Sequence, residues 1–410
     1  MTELLELSAD GSFTDTLSTD QSSYELYDGK NIISLYVKPG YNLNIFYDTE
    51  NIDSTMVFQG DGSKENTYMF EKRKKTNAFI GDPYEVYKLD ETEYKTKFKA
   101  LKNNLLDFLK EYEGLSDDFK LAEENNVVYD YLSKLSEYER IHMAITKNRD
   151  FKVSESFLDE LKDFDYTNEN DYNFSKSYKD LVGSKLKKQA QNLAKTDSID
   201  FDIAYLKTAS AVENSSIKND KLFTFTHQMI GFSKDINAFY DLFKEHSTNA
   251  TNNDLIAEKY NKLMALSKGN PSPKFKNYKN YVGGTTSLDD LKGKYVYIDV
   301  WATWCGPCIR EIPSLKEVEK KYHQKNIAFV SLSVDEEKDH EKWKAMVKEK
   351  ELGGVQLFAD KNFDSQFVKD YEIQGIPRFI LIDPTGNIVD SNAPRPSSPK
   401  LIDLFNELNI

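Results

Sequence analysis

The chain has 410 residues, which suggests two or three domains, and its 39% hydrophobic content is low but adequate for packed cores. A formal charge of −14 argues against nucleic acid as a partner, because phosphate backbones are gripped by basic patches. No apolar run approaches the roughly 18 residues of a membrane span. With only two cysteines, close together, no framework of structural disulfides can form.

In chain order, Met1-Thr2-Glu3-Leu4 shows no basic segment followed by an apolar core, so no signal peptide is read there. Either the protein is cytosolic or a leader has been removed. Residues 1 to about 75 read as β. Ile32-Ile33-Ser34-Leu35-Tyr36-Val37 and Leu43-Asn44-Ile45-Phe46-Tyr47 are rich in β-branched and aromatic residues and are joined through Pro39-Gly40. Thr55-Met56-Val57-Phe58-Gln59-Gly60 is a further strand before the turn Asp61-Gly62-Ser63, and Ala9-Asp10-Gly11-Ser12 and Asp28-Gly29-Lys30-Asn31 are further turns. An N-terminal β-domain is expected over 1–90.

An α-helical domain is expected over 91–268. Leu101, Leu105, Leu106 and Leu109 share one face, and Val127, Val128, Tyr131, Leu132, Leu135 and Tyr138 share another. Phe201, Ala204 and Tyr205, then Ile236, Phe239, Tyr240 and Phe243, continue the pattern, with breaks such as Thr167-Asn168-Glu169-Asn170-Asp171 between helices. Such aromatic stripes fit a packed core, with a ligand groove as the alternative. His142, His227 and His246 lack ligand spacing and read as surface or packed residues.

Gly269-Asn270-Pro271-Ser272-Pro273 punctuates the chain and opens a third domain, 269–410. Its order reads strand (295–301), helix (305–322), strand (327–334), helix (337–350), short strand (355–359) and short helix (363–371). A hairpin pairing 378–382 with 387–390 and a final helix (399–408) complete it. Alternating strands and helices followed by an antiparallel pair imply an α/β fold, a mixed central sheet with helices on both faces.

The chemistry concentrates in Trp304-Cys305-Gly306-Pro307-Cys308, at a strand-to-helix junction. Cys305 stands at or just before the helix N-terminus, where free backbone N–H groups and the helix dipole favour a thiolate. A thiolate attacks a disulfide, and Cys308, one turn further on, can attack the resulting mixed disulfide and release the product. Pro307 stiffens the first turn and removes an N–H that would lack a partner. The alternatives are half of a zinc site and an inert buried pair. A zinc site lacks its second cysteine pair, and the nearest histidine is His323, so no metal is expected. Asp299 sits mid-strand among apolar neighbours, where a carboxylate needs a partner or a proton.

Trp-Cys-Gly-Pro-Cys after a strand with a central acid resembles thioredoxin, and Gly375-Ile376-Pro377 resembles the cis-proline loop that faces the cysteines in that fold. Pro273-Lys274-Phe275, Ser287 to Lys294, Cys308-Ile309-Arg310-Glu311-Ile312-Pro313 and Ser331-Leu332-Ser333-Val334-Asp335 resemble the periplasmic TlpA/ResA-like branch. The resemblance covers roughly 271–410. It implies a thioredoxin-like fold, Cys305 as nucleophile with a pKa of roughly 7, Cys308 as resolving cysteine, and Asp299 as acceptor of its proton. The alternative for Asp299 is a satisfied structural acid. Glu311 is implied to tune the cysteines, with a solvated first-turn glutamate as the alternative. Pro377 is implied to be cis, with the Ile376 backbone pairing with a substrate strand. Trp304, Gly306, Pro307 and Arg378 complete the expected docking surface; Arg378 replaces the threonine of many relatives and favours acidic substrate surfaces. Residues 355–371 look like the insertion of that branch. Val37-Lys38-Pro39-Gly40, Phe58-Gln59-Gly60 and Glu65-Asn66-Thr67-Tyr68 resemble the small β-domain that precedes thioredoxin modules in many Bacteroidetes proteins.

The expected function is that of a thiol–disulfide oxidoreductase reducing protein disulfides, with no cofactor beyond the Cys305–Cys308 pair. The resemblance places it in the periplasm or cell envelope, with a membrane-linked electron donor and a lipid anchor upstream of this sequence. An envelope binding or scaffold protein with an accessory redox module, and a disulfide isomerase, are the rival readings. A peroxidase is disfavoured because Cys305 stands where peroxiredoxins have threonine.

Overall fold

The computed structural model describes all residues except 1–4, 6, 9 and 18–22, so Met1–Leu4 and the Ala9 position of the first turn lie outside the described residues. The chain forms two compact units, 1–224 with 245–248, and 225–244 with 249–410.

The first unit opens with two antiparallel pairs, Ser23–Tyr27 with Ile32–Tyr36 and Leu43–Phe46 with Val57–Gly60. The Asp28 carboxylate accepts the backbone N–H of Lys30 and of Asn31 and closes the expected turn between the first two strands. The β reading to about residue 75 is corrected beyond Gly60: Ser63–Ile80 is an 18-residue helix. That stretch contains no glycine or proline, and seven of its 18 residues are Lys, Arg or Glu, whose helix propensity prevails. The Asn66 side chain ties this helix to the sheet by accepting from the Tyr36 N–H and donating to the Tyr36 carbonyl.

Long helices follow at Glu91–Glu111, Asp117–Thr146 and Lys176–Asp197. Leu101, Leu105, Leu109, Val127, Tyr131, Leu132, Leu135 and Tyr138 are buried, so these stripes are core. Tyr94 and Tyr138 meet at 4.3 Å between ring centres. His142 is packed, its Nδ1 2.9 Å from the Tyr87 carbonyl oxygen. Lys72 from the first helix pairs with Glu123 at 2.6 Å, and Asn126 donates to the other Glu123 oxygen. These contacts partner a glutamate that is only 1% exposed and would otherwise be costly to bury.

The second unit contains the helices Ile236–His246 (in part) and Ala250–Ala265, followed by a seven-stranded mixed sheet. Its strands are β1 (Tyr278–Asn280), β2 (Thr285–Thr286), β3 (Tyr295–Trp301), β4 (Ile327–Ser333), β5 (Val355–Phe358), β6 (Arg378–Ile382) and β7 (Ile388–Asp390). The spatial order is β7-β6-β3-β4-β5-β1-β2, with β3, β4 and β5 parallel and the remaining pairs antiparallel. The helices are α1 (Gly306–Tyr322), α2 (His340–Glu349), α3 (Gln366–Asp370) and α4 (Pro399–Glu407).

Side chains alternate along β3 as the pleat requires. Val296, Ile298 and Val300 pack with Trp343 and Val347 of α2 and with Phe367 and Val368 of α3. Tyr297 packs on the opposite face with Leu315 and Val318 of α1 and Leu401 and Phe405 of α4. Asp299 shares that second face, which aims it under α1. The β1–β2 hairpin was not anticipated from the sequence. Its strands are very short, and the reversal depends on Gly283 and Gly284, both with positive φ. The expected boundary at 269–273 runs along the sheet edge: Gly269 N–H donates to Ile388 O at 2.8 Å and Ser272 N–H to Gly386 O at 3.0 Å.

Candidate active site

β3 delivers the chain to the C-terminal end of the sheet, and the loop Ala302–Trp304 carries it into α1. The loop is pinned from below. Asp335, just past β4, accepts the Thr303 N–H at 3.0 and 3.1 Å and the Thr303 hydroxyl at 2.7 Å. The Ser333 hydroxyl donates to its second oxygen at 2.7 Å. Asp335 is 0% exposed, so these donors stand in for water at its carboxylate and fix where the loop before the cysteine stands.

Cys305 is the N-cap of α1, its Sγ accepting the Cys308 N–H at 3.1 Å, and Pro307 lies in the first turn. A donor aimed at that sulfur, together with the helix N-terminus, stabilises negative charge on Cys305 when the pair is reduced. Cys305 and Cys308 are joined as a disulfide, and each is 4% exposed. Their neighbours distinguish them. Exposed Trp304, Gly306 and Pro307 surround Cys305, whereas Cys308 lines an inner cleft with Asp299.

Ile376–Pro377 is cis, as expected from the loop. Because Arg378 pairs with Val300, Pro377 is brought opposite Trp301, at the same end of the sheet as the cysteine loop. Ile376 packs against the cluster that contains both cysteines. Arg378 is half-buried with no hydrogen bond or ion pair among the described residues; burial pulls its guanidinium pKa down, against the attraction of Asp390. Trp304 is 57% exposed, and its ring lies 6.3 Å from that of Phe363, in the 355–371 segment.

Asp299 lies beside Ser331 in the β3–β4 register. Burial pushes its carboxyl up to about 7; a hydrogen bond from Ser331 opposes this, and the charges of Glu319 and Glu311 add to it. Glu311 is drawn elsewhere: its carboxylate accepts the Ser397 N–H at 3.0 Å and the Ser397 hydroxyl at 2.9 Å. Its field is felt at Asp299.

Three participants escaped the sequence reading. Glu319 lies on α1 among the buried Leu315, Val318 and Tyr322, and an acid at such a position is itself the signal. Asp335 was noticed only within a motif, since nothing local tells that its carboxylate reaches Thr303. Phe363 joins Trp304 only through tertiary packing. Among the described residues no group of three or more His, Cys, Asp or Glu could hold a metal ion.

Residues 267–404 match the Redoxin family. The thioredoxin-like protein YneN of Bacillus subtilis is 31% identical over 130 residues, which are 32% of this chain and 73% of that protein. The thiol-disulfide oxidoreductase ResA of Bacillus subtilis is 30% identical over 136 residues, covering 32% of this chain and 72% of ResA. The thioredoxin domain of a thiol-disulfide oxidoreductase from Bacteroides vulgatus superposes over 98% of its length and 35% of this chain, with 29% identity and a TM-score of 0.31. With the cysteine pair at the head of α1 and matches that span most of two relatives, this chain belongs, through its C-terminal third, to the ResA-like thiol-disulfide oxidoreductases.

Proposed function

We propose that the protein reduces disulfides of other proteins in the cell envelope and is itself recharged by a membrane-linked dithiol donor. The observation that carries this reading is the division of labour between the cysteines, Cys305 beneath an exposed aromatic rim and Cys308 against a buried acid. The Cys305 thiolate attacks one sulfur of the substrate disulfide, forming a mixed disulfide and expelling the other sulfur as thiolate. Cys308 gives its proton to Asp299 and attacks Cys305 Sγ. The Cys305–Cys308 bond forms, the mixed disulfide breaks, and the second substrate thiolate leaves. Two electrons pass from the dithiol to the substrate, and both released thiolates take up protons from solvent. A carboxyl held near 7 suits this transfer, because it is close to balance at neutral pH.

The envelope location rests on the likeness to the ResA branch. No helix among the described residues is long and apolar enough to cross a membrane. The docking surface in this reading is Trp304 with Phe363, the Ile376 backbone and Pro377, with Arg378 facing acidic substrate groups. Gly306 and Pro307 keep the approach to Cys305 low.

Trp304→Ala tests the docking surface. Exposed aromatics at the centre of an interface contribute strongly to binding, so kcat/KM for insulin disulfides is expected to fall about tenfold, or ~1.4 kcal/mol. Reduction of a small aromatic disulfide, which needs no docking, should change less than about twofold. Equal losses with both substrates would contradict a docking role, and failure of the wild-type chain to reduce insulin would overturn the proposed function.

A further inference from the structure

The cleft behind Cys308 contains two acids, and the exchange described above uses one of them. Glu319 enters it from α1, about three turns beyond Cys308. It lines the cleft together with Asp299, Cys308, Trp301, Ser331 and Gln356. The backbone is shaped to admit it: a Cβ built on Gly353 would stand 2.6 Å from Glu319 Oε2, and one on Gly354 would stand 2.9 Å from Oε1. No side chain is hydrogen-bonded to the Glu319 carboxylate among the described residues. The nearest cation on its own helix is engaged elsewhere, since Lys316 Nζ donates to the Lys350 carbonyl at 2.9 Å and faces Glu351 at 3.8 Å.

Among the described residues, two polar atoms of side chains that line the cleft lack hydrogen-bond partners, Trp301 Nε1 and Gln356 Oε1, in residues only 2% and 4% exposed. The Gln356 amide nitrogen is committed to the Gly353 carbonyl at 2.6 Å, which fixes the side chain. An unpaired buried donor and acceptor in residues that line one cleft are the groups that hold ordered water. The groups that face Glu319 are thus Asp299 from β3, Lys316 from α1 and, beyond it, Glu351. Those that face Asp299 are Glu319 and Glu311 from α1 and Ser331 from β4.

We propose that Glu319 is a proton-relay residue, receiving through water the proton that Asp299 takes from Cys308 and passing it to solvent at the cleft mouth. The proton leaves Cys308 Sγ as the Cys305–Cys308 bond forms, rests on Asp299, moves to Glu319, and returns to bulk, so each carboxylate is regenerated. Burial pushes Glu319 up to about 7, with Lys316 opposing, which matches Asp299 and makes transfer between them nearly level. This inference rests on the reading of Asp299 as the acceptor.

The test is single-turnover resolution of a mixed disulfide by the full-length protein between about pH 5 and pH 9, in wild type, Glu319→Gln, Asp299→Asn and the double variant. Glu319→Gln is expected to be roughly tenfold slower near pH 7.5, where both carboxyls are largely ionised and able to accept, and to converge on wild type near pH 9, where hydroxide removes the proton directly. The double variant should be no slower than Asp299→Asn, because the two act in series. Gly353→Ala, whose added methyl displaces the Glu319 carboxylate without removing it, should reproduce part of the effect. Folding is not at risk in Glu319→Gln, since ionising a half-buried acid costs stability as pH rises through its pKa. If Glu319→Gln follows wild type at every pH, or the two losses multiply, the relay is wrong. If Asp299→Asn is itself as fast as wild type, the acceptor reading fails with it.

Discussion

Replacing Cys308 by alanine is expected to leave a protein that attacks substrate disulfides once and stays attached to them. The first half of the exchange needs only Cys305, held at the head of α1 with the Cys308 backbone N–H aimed at its sulfur. That N–H survives the substitution, so the thiolate and the rate of attack should change little. The second half has no nucleophile, and a mixed disulfide should accumulate, visible as an added mass on the intact protein. Cys305→Ser removes the attacking sulfur and should lower turnover on the order of 10³-fold or more, about 4 kcal/mol of transition-state stabilisation. It should form no adduct. Adducts on Cys308 in the Cys305→Ser protein would reverse the assignment made from the surroundings of the two sulfurs.

Asp335→Ala is expected to damage both stability and rate without touching a reacting atom. It would leave the Thr303 N–H, the Thr303 hydroxyl and the Ser333 hydroxyl without their acceptor in a site closed to water. At 1–3 kcal/mol for a buried unpaired group, and with the hydroxyls free to turn, the loss is on the order of 4 kcal/mol. Asparagine should not rescue it fully, because both carboxylate oxygens accept and the new NH2 would face a donor. The loop released by this change places Cys305, so resolution and attack should both slow. Urea unfolding of the full chain measures the first effect and single-turnover kinetics the second. A loss under about 1 kcal/mol with normal kinetics would show that the loop is held by other contacts.

The third domain was legible in the sequence because its signals are local. Apolar strands, a proline-glycine punctuation and one cysteine pair each report on a few adjacent residues. The cis loop at Ile376–Pro377 was legible only through resemblance. The N-terminal segment was harder. Asn66 and Tyr68 fell within the stretch read as β because their role, bonding the Tyr36 backbone and filling a core, depends on another element. Helix propensity over Ser63–Ile80 was the stronger local signal. In the site, the resemblance implied that Glu311 tunes the cysteines, and Ser397, distant in sequence, is what holds its carboxylate. Glu319 and Asp335 were missed for the same reason: burial and partners belong to the fold, and spacing along one helix or strand does not report them.

The central claim is that the Cys305–Cys308 pair works as a reductant, and the redox potential of the full-length protein tests it most directly. Equilibration in glutathione or dithiothreitol buffers, with the oxidised fraction read by thiol alkylation, gives the value. The Gly306-Pro307 dipeptide predicts a potential near that of thioredoxin, about −270 mV. A potential near about −120 mV, at the oxidant end of the range, would contradict the account.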